Sequence, residues 1–335
     1  MNNVADIRGP RKAKPALRLV KTLELDREQW LAVRRNGIGS SDAGAAVGLN
    51  PYKSQLELWM EKTGRDDGSS RIDPNDDSSP AYWGTLLEPI VAAHYTKKTG
   101  NRVRRVNAVL AHPDYPWMLA NLDREVVGAP DVQILECKTA GLNGARLWRD
   151  GVPEYVQLQV LHQLAVTGKE AADVAVLICG QELRIHRIER DETMIAQLVR
   201  LEEEFWRLVT QGITPPVDGS ESAERALQKL FPQDFGESLV FADDPYLQGI
   251  FNDLLQAKVQ LDEEQRRMGE LKQMIQQRMG DATKAVFNGG SVTWKRTRDS
   301  ARFDAERFAG EHPELFSRYS VAKSGSRRFV INEKP

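Results

Sequence analysis

The stretch "LECKTAG", residues 135–141, sets a glutamate and a lysine two positions apart inside an apolar run that ends at glycine. In an extended chain alternate side chains share a face. Ile134, Glu136 and Lys138 therefore point one way and Leu135, Cys137 and Thr139 the other. Alone, such a pair is a solvated strand face with a weak surface ion pair. Two further acids change its meaning. Asp123 follows the apolar start of "ANLDREVV", and Glu88 in "GTLLEPIVAAHY" is flanked by Leu86, Leu87, Ile90 and Val91. A carboxylate in apolar surroundings is costly unless something pairs it. Three acids gathered at the end of one sheet repel one another unless a divalent cation neutralises them. That chemistry suits phosphodiester hydrolysis. Asp123 and Glu136, with the Cys137 backbone carbonyl, would hold Mg²⁺ or Mn²⁺, and Glu88 would complete the shell or hold a second ion. Lys138 would orient the attacking water and stabilise charge on the transition state.

Composition narrows the alternatives. The chain has 335 residues, 41% hydrophobic and 28% charged, enough for one large domain with a smaller one or for two ordinary domains. Two cysteines, Cys137 and Cys179, are too few for a disulfide framework or a four-thiolate zinc or iron–sulfur site, and five histidines without HxH or HExxH spacing argue against a zinc enzyme. A metal here should be hard and bound through carboxylate oxygens. The net charge of −2 argues against coating nucleic acid by bulk electrostatics, although lysine and arginine gather at Arg8–Lys21, Arg34–Arg35, Lys97–Arg105, Lys295–Arg298 and Arg327–Arg328. No apolar run of eighteen residues exists, and "MNNVADIRGPRKAKPALRLVK" lacks the apolar core of a signal peptide, so the expectation is a cytoplasmic protein with no membrane span.

The elements that must position these residues follow from periodicity and punctuation. Residues 1–20 read as a flexible basic arm. "DREQWLAVRR" is a helix with Asp26 as N-cap, "NGIGSSDAGAAVGLN" a Gly-rich turn into a short helix, and "SQLELWMEKTG" a helix with a Gly stop. "RDDGSSRIDPNDDSSP" reads as a mobile acidic loop. A helix over "LLEPIVAAHYTKKTG" precedes strands over "RVRRVNAVLAH", "MLANLDREVVG" and "VQILECKT". Then come a helix over "YVQLQVLHQLAVTG", strands over "DVAVLICG" and "ELRIHRIER", and a long helix over "ETMIAQLVRLEEEFWRLVTQG". This order indicates an α/β (α+β) domain on a central mixed sheet flanked by helices, over residues 21–218. Residues 219–335 form an extension. There Leu247, Ile250, Leu254, Leu261, Met268, Leu271 and Ile275 mark a long amphipathic or coiled-coil helix, and Asn288-Gly289-Gly290 marks a hairpin.

The series Glu88, Asp123, Glu136-Cys137-Lys138 resembles the active site of the PD-(D/E)XK nucleases, whose restriction-endonuclease-like fold it implies. More closely, "RRNGIGSSDAGAAVGLNPYKSQLELWMEKTG", "GTLLEPIVAAHY", "LDREVV" with "LECKT", and "YVQLQVLHQL" resemble in order the blocks of the YqaJ-like viral recombinases, over roughly residues 26–210. These are phage alkaline exonucleases related to the lambda exonuclease. One departure is Leu122 where the family has proline before the aspartate; Asp123 fits the position best, with Asp131 and Asp114 as rivals. The resemblance implies a 5′-to-3′ exonuclease on double-stranded DNA ends. It would leave a 3′ single strand for a strand-annealing partner, and a trimer is the first expectation for assembly.

Ser40-Ser41-Asp42 opens a short helix, with Arg34 one turn back as a bidentate phosphate donor. An ordinary N-cap beside a surface arginine is the plain alternative. The resemblance assigns Arg34 and Ser41 to the 5′-terminal phosphate. It also assigns a glutamine or tyrosine on the helix after the catalytic strands to the metal-bound water or the DNA backbone. Gln157 and Gln159 cannot both face the site, and Gln157 aligns best, while His162 reads as a packed or surface histidine. Two competing functions stay open: an endonuclease or nickase with the same metal chemistry, and a non-catalytic DNA-binding assembly protein on this fold.

Overall fold

The computed structural model describes residues 15–66, 76–322 and 325–332. The chain divides into two compact units, 1–232 and 233–335. Residues 1–14 of the expected arm and 67–75 of the expected acidic loop lie outside the described residues.

The first unit opens with a correction. The end of the expected arm is strand β1, Leu17–Lys21, paired antiparallel with a later strand. Helix α1, Arg27–Arg35, begins at Asp26, whose carboxylate accepts from the Gln29 N–H at 2.8 Å while the Gln29 side chain accepts from the Asp26 N–H. Strand β2, Ile38–Gly39, leads through a 3-10 turn, Ser40–Asp42, into α2, Ala43–Ala46. A Cβ on Gly37 would lie 2.4 Å from the Trp117 carbonyl oxygen, so only glycine lets the chain enter β2 at this point. Helix α3, Gln55–Thr63, is capped by Ser54 and stopped by left-handed Gly64. Helix α4, Pro80–Thr99, starts at Ser79 with proline in its first turn.

Strands β3, Arg102–Arg104, and β4, Ala108–Ala111, replace the single strand expected over 102–112; β5, Met118–Ala120, and β6, Arg124–Val127, replace the one over 118–128. Together they form one long hairpin bent across its middle. Its outer half pairs β4 with β5, its inner half pairs β3 with β6, and the two halves belong to different sheets. Strand β7, Ile134–Ala140, runs parallel to β8, Ala171–Ile178, through the crossover helix α5, Glu154–Thr167; β9, Glu182–Glu189, follows antiparallel. The larger sheet has the order β3-β6-β7-β8-β9 and the smaller β1-β4-β5-β2. Helix α6, Glu192–Gln211, and α7, Glu221–Leu230, complete the unit. Although residues from 219 onward read as extension in the sequence, α7 packs in this unit: the Ser222 hydroxyl accepts from the Ser54 N–H at 2.8 Å and donates to Glu57 at 2.5 Å.

Apolar alternation explains the layering. On one face of the larger sheet, Leu135, Val126 and Ala175 pack against Val91, Ala92 and Tyr95 of α4. On the other, Ile134, Val174 and Val176 join Val160 and Leu164 of α5, which also meet Leu110 and Met118 of the smaller sheet. Helix α5 thus runs in the core between the two sheets, buried on nearly every side. A mixed sheet with helices on both faces is the restriction-endonuclease-like architecture that the sequence predicts. His162, fully buried on α5, sets Nδ1 2.7 Å from Glu202 of α6 and Nε2 3.0 Å from the Leu119 carbonyl oxygen, so it locks α5 to both neighbours and is a packed histidine.

The second unit holds α8, Pro245–Met279, begun by Asp244; the hairpin β10, Lys284–Phe287, with β11, Gly290–Thr293; and α9, Ala305–Glu311, and α10, Pro313–Tyr319. Among the described residues of α8, Met279 alone is buried. No helix of the described residues is long and apolar enough to cross a membrane.

Candidate active site

The bend in the long hairpin makes the site. Residues 121–123 leave the smaller sheet before β6 joins the larger one, so Asp123 sits at the seam beside β7. Its carboxylate accepts from the Cys137 N–H at 2.8 Å. The alternation inferred for β7 holds: Cys137 packs on the α4 side, while Glu136 and Lys138 face α5. A cleft of about 520 Å³ takes Asp123, Glu136, Cys137 and Lys138 from this seam, Glu88 and Thr85 from α4, Gln159 from α5, and Trp30, Arg34, Ser40 and Ser41 from the first block.

Glu136 is nearly inaccessible, and three donors hold it: Lys138 at 2.7 Å and Gln159 at 2.6 Å on Oε1, and Gln163 at 2.8 Å on Oε2. Gln159 in turn accepts from the Lys138 ammonium at 2.9 Å, closing a ring of three side chains. Burial, the largest single influence, would lower the Lys138 ammonium; the Glu136 charge, its hydrogen bond and the Asp123 charge together outweigh it, so the group is raised and stays charged. Burial first, and then the Glu136 charge, push the Asp123 carboxyl up to about 8. The same pair, after burial, drives the Cys137 thiol up, which removes it as a nucleophile. A half-buried Asp123 carboxyl raised in this way beside the buried Glu136 carboxylate is a place for a proton or a cation to sit. An all-oxygen donor set of Asp123, Glu136 and the Cys137 carbonyl fits a hard divalent ion.

Glu88 lines the same cleft, but its carboxylate accepts from the guanidinium of Arg124, which also donates to the Asp123 carbonyl oxygen at 2.5 Å. Among the described residues no three acid, histidine or cysteine side chains are grouped to share one ion.

At the other end of the cleft, Arg34 donates to the Ser41 hydroxyl at 3.1 Å and to Asp42 at 2.7 Å, and its guanidinium stacks over the Trp30 ring at 4.9 Å. Asp42, almost fully buried, also accepts from the Lys62 ammonium at 2.7 Å. Burial works against its charge, yet Arg34 and Lys62 hold its carboxyl well below the usual carboxylate range. Two cations around one buried anion leave a net positive charge beside Ser40 and Ser41.

Six of the residues singled out from the sequence, Arg34, Ser41, Glu88, Asp123, Glu136 and Lys138, therefore meet in one cleft. Gln157 does not. Its exposed amide donates to the Val152 carbonyl at 2.7 Å, whereas the helical row Tyr155, Gln159, Gln163 turns toward the sheet. The rivals of Asp123 are elsewhere: Asp131 is exposed and paired with Arg187 at 3.0 Å, and Asp114 is exposed in the tip of the hairpin. Gln163, Lys62 and Arg124 are not marked by the sequence pattern, and Asp42 is marked there only as part of the turn that opens the short helix. The i,i+4 glutamine pair and the arginine following Asp123 were the available signals, but neither shows in sequence what it touches.

Residues 29–170 match the YqaJ-like viral recombinase domain. Over 325 residues the chain is 37% identical to the uncharacterised protein YqaJ of Bacillus subtilis, covering 96% of this chain and 99% of that one. Crystal structures of an alkaline exonuclease from Laribacter hongkongensis, alone and with dAMP, superpose with TM-scores of 0.45 and 0.44 at 23% identity, over 61% of this chain and 99% of theirs. The domain match spans the segments that build the cleft and the identity runs almost end to end, so the chain belongs to the YqaJ-like viral recombinase family.

Proposed function

We propose that the protein is a Mg²⁺- or Mn²⁺-dependent exonuclease that digests double-stranded DNA from its 5′ ends and leaves 3′ single strands for recombination by strand annealing. One observation carries this reading: Asp123, Glu136 and Lys138 share a single cleft with the cationic Arg34–Ser41 end. A bound divalent ion supplies Lewis-acid polarisation of the phosphate and acidifies a water. Asp123, Glu136 and the Cys137 carbonyl would hold it. The Lys138 ammonium, fixed by Glu136 and Gln159, faces the charge that builds on the phosphate as the bond breaks. Arg34 and Ser41 take the oxygens of the 5′-terminal phosphate, which sets the end as the starting point and favours exonuclease over endonuclease chemistry. A homo-oligomer, a trimer by the family resemblance, and an annealing protein as partner complete the proposal.

The test is digestion of end-labelled linear and closed circular duplex in Mg²⁺ or EDTA. The expected result is Mg²⁺-dependent loss of linear DNA from 5′ ends with circles intact, abolished by Glu136→Gln and by Lys138→Ala in folded protein. Nicked circles would favour the endonuclease. Full activity in either variant would overturn the site.

A further inference from the structure

We propose that Arg124 is a positioning residue that withholds Glu88 from coordination, so that the cleft takes one divalent cation, on Asp123, Glu136 and the Cys137 carbonyl. This rests on the metal-dependent reading above and makes a separate claim about Glu88.

Arg124 opens β6 directly after Asp123 and is itself buried, its side chain only 7% exposed. A guanidinium keeps its charge at every working pH, so its burial requires a fixed counter-charge. Glu88 on α4 is that counter-charge: it pairs with the Arg124 Nη1, which is also tied to the Asp123 carbonyl oxygen at 2.5 Å. The second contact pins the guanidinium to the backbone of the residue whose carboxylate reaches toward β7. The pair fixes Glu88 through Oε1, and swinging the whole carboxylate over to the ion would strand a buried cation, the costly half of breaking such a pair. Held on Arg124, Glu88 is not grouped with two other acids around one point among the described residues. The third acid is present in the cleft but is already neutralised by a cation of the chain.

The experiment measures Mn²⁺ binding to the full-length protein without DNA, by the loss of the free-ion electron paramagnetic resonance signal. The wild type should take one ion. Glu88→Gln should leave affinity within about threefold, whereas Arg124→Gln should tighten it by about tenfold or admit a second ion. The double variant Arg124→Gln with Glu88→Gln should return to about the Glu88→Gln value, because the gain runs through the released carboxylate. Arg124→Lys, which keeps the charge, should resemble the wild type. Glu88→Gln weakening Mn²⁺ as much as Asp123→Asn would overturn the proposal, and so would Arg124→Gln, folded by its urea transition, binding as the wild type does. If Arg124→Gln does not fold, the Glu88→Gln arm decides alone. If Asp123→Asn binds Mn²⁺ as the wild type does, the cleft is not the metal site, and the functional reading fails along with this one.

Discussion

Replacing Gln159 by leucine keeps the volume of the side chain and removes both ends of the bridge between Glu136 and Lys138. The two contacts, 2.6 Å to the carboxylate and 2.9 Å from the ammonium, are both to charged partners. A hydrogen bond to a charged group contributes about 1.5–3 kcal/mol. If only the contact that steers Lys138 is felt in the transition state, that range predicts a fall in kcat of about 10- to 150-fold. Lys138 keeps its ion pair with Glu136, so activity should fall and not vanish. Gln157→Leu is the matched control: its surface bond to the Val152 carbonyl touches nothing in the cleft, and its effect should stay within about twofold. The assay is single-turnover release of nucleotide from a 5′-phosphorylated duplex in saturating Mg²⁺, with urea transitions to confirm folding. A larger loss from Gln157→Leu than from Gln159→Leu would refute the orientation of α5 and the assignment of Gln159 to the site.

Arg34→Ala should slow digestion of 5′-phosphorylated ends more than of 5′-hydroxyl ends; equal slowing, measured on paired substrates, would remove the phosphate pocket. Asp42→Asn strands Arg34 and Lys62 around a neutral amide and should cost about 3–5 kcal/mol in urea unfolding. Because the folded Asp42 carboxyl lies below its unfolded value of about 3.9, its contribution is full above that pH and is lost as pH falls through the acid range. Asp123 works in the opposite sense. Its folded value of about 8 lies above the unfolded one, so in EDTA the fold should lose stability as pH rises from about 4 to 8. Mg²⁺ should flatten that slope, and a slope unchanged by Mg²⁺ in urea titrations would count against Asp123 as a ligand.

Periodicity in the sequence located the elements well where one rule governs a whole segment. The Asp26 cap, the Gly64 and Gly100 stops, the β7 alternation and the long α8 helix needed no tertiary information. The strands over 102–112 and 118–128 read as continuous because both halves of each are extended. Their division between two sheets depends on which partner each half meets, and that division brings Asp123 to the seam.

The sequence by itself determined the acids, the lysine and their alternation, because strand geometry sends every second side chain to the same face whatever surrounds it. Only the tertiary structure decided which glutamine of α5 meets Glu136, since two residues, about half a turn of helix, put Gln157 and Gln159 on opposite faces and the sequence does not say which face turns inward. The tertiary structure alone paired Glu88 with Arg124 and Asp42 with both Arg34 and Lys62. Those choices are made by charges from distant segments that must be neutralised once burial takes them out of water, and no local pattern records which ones will meet.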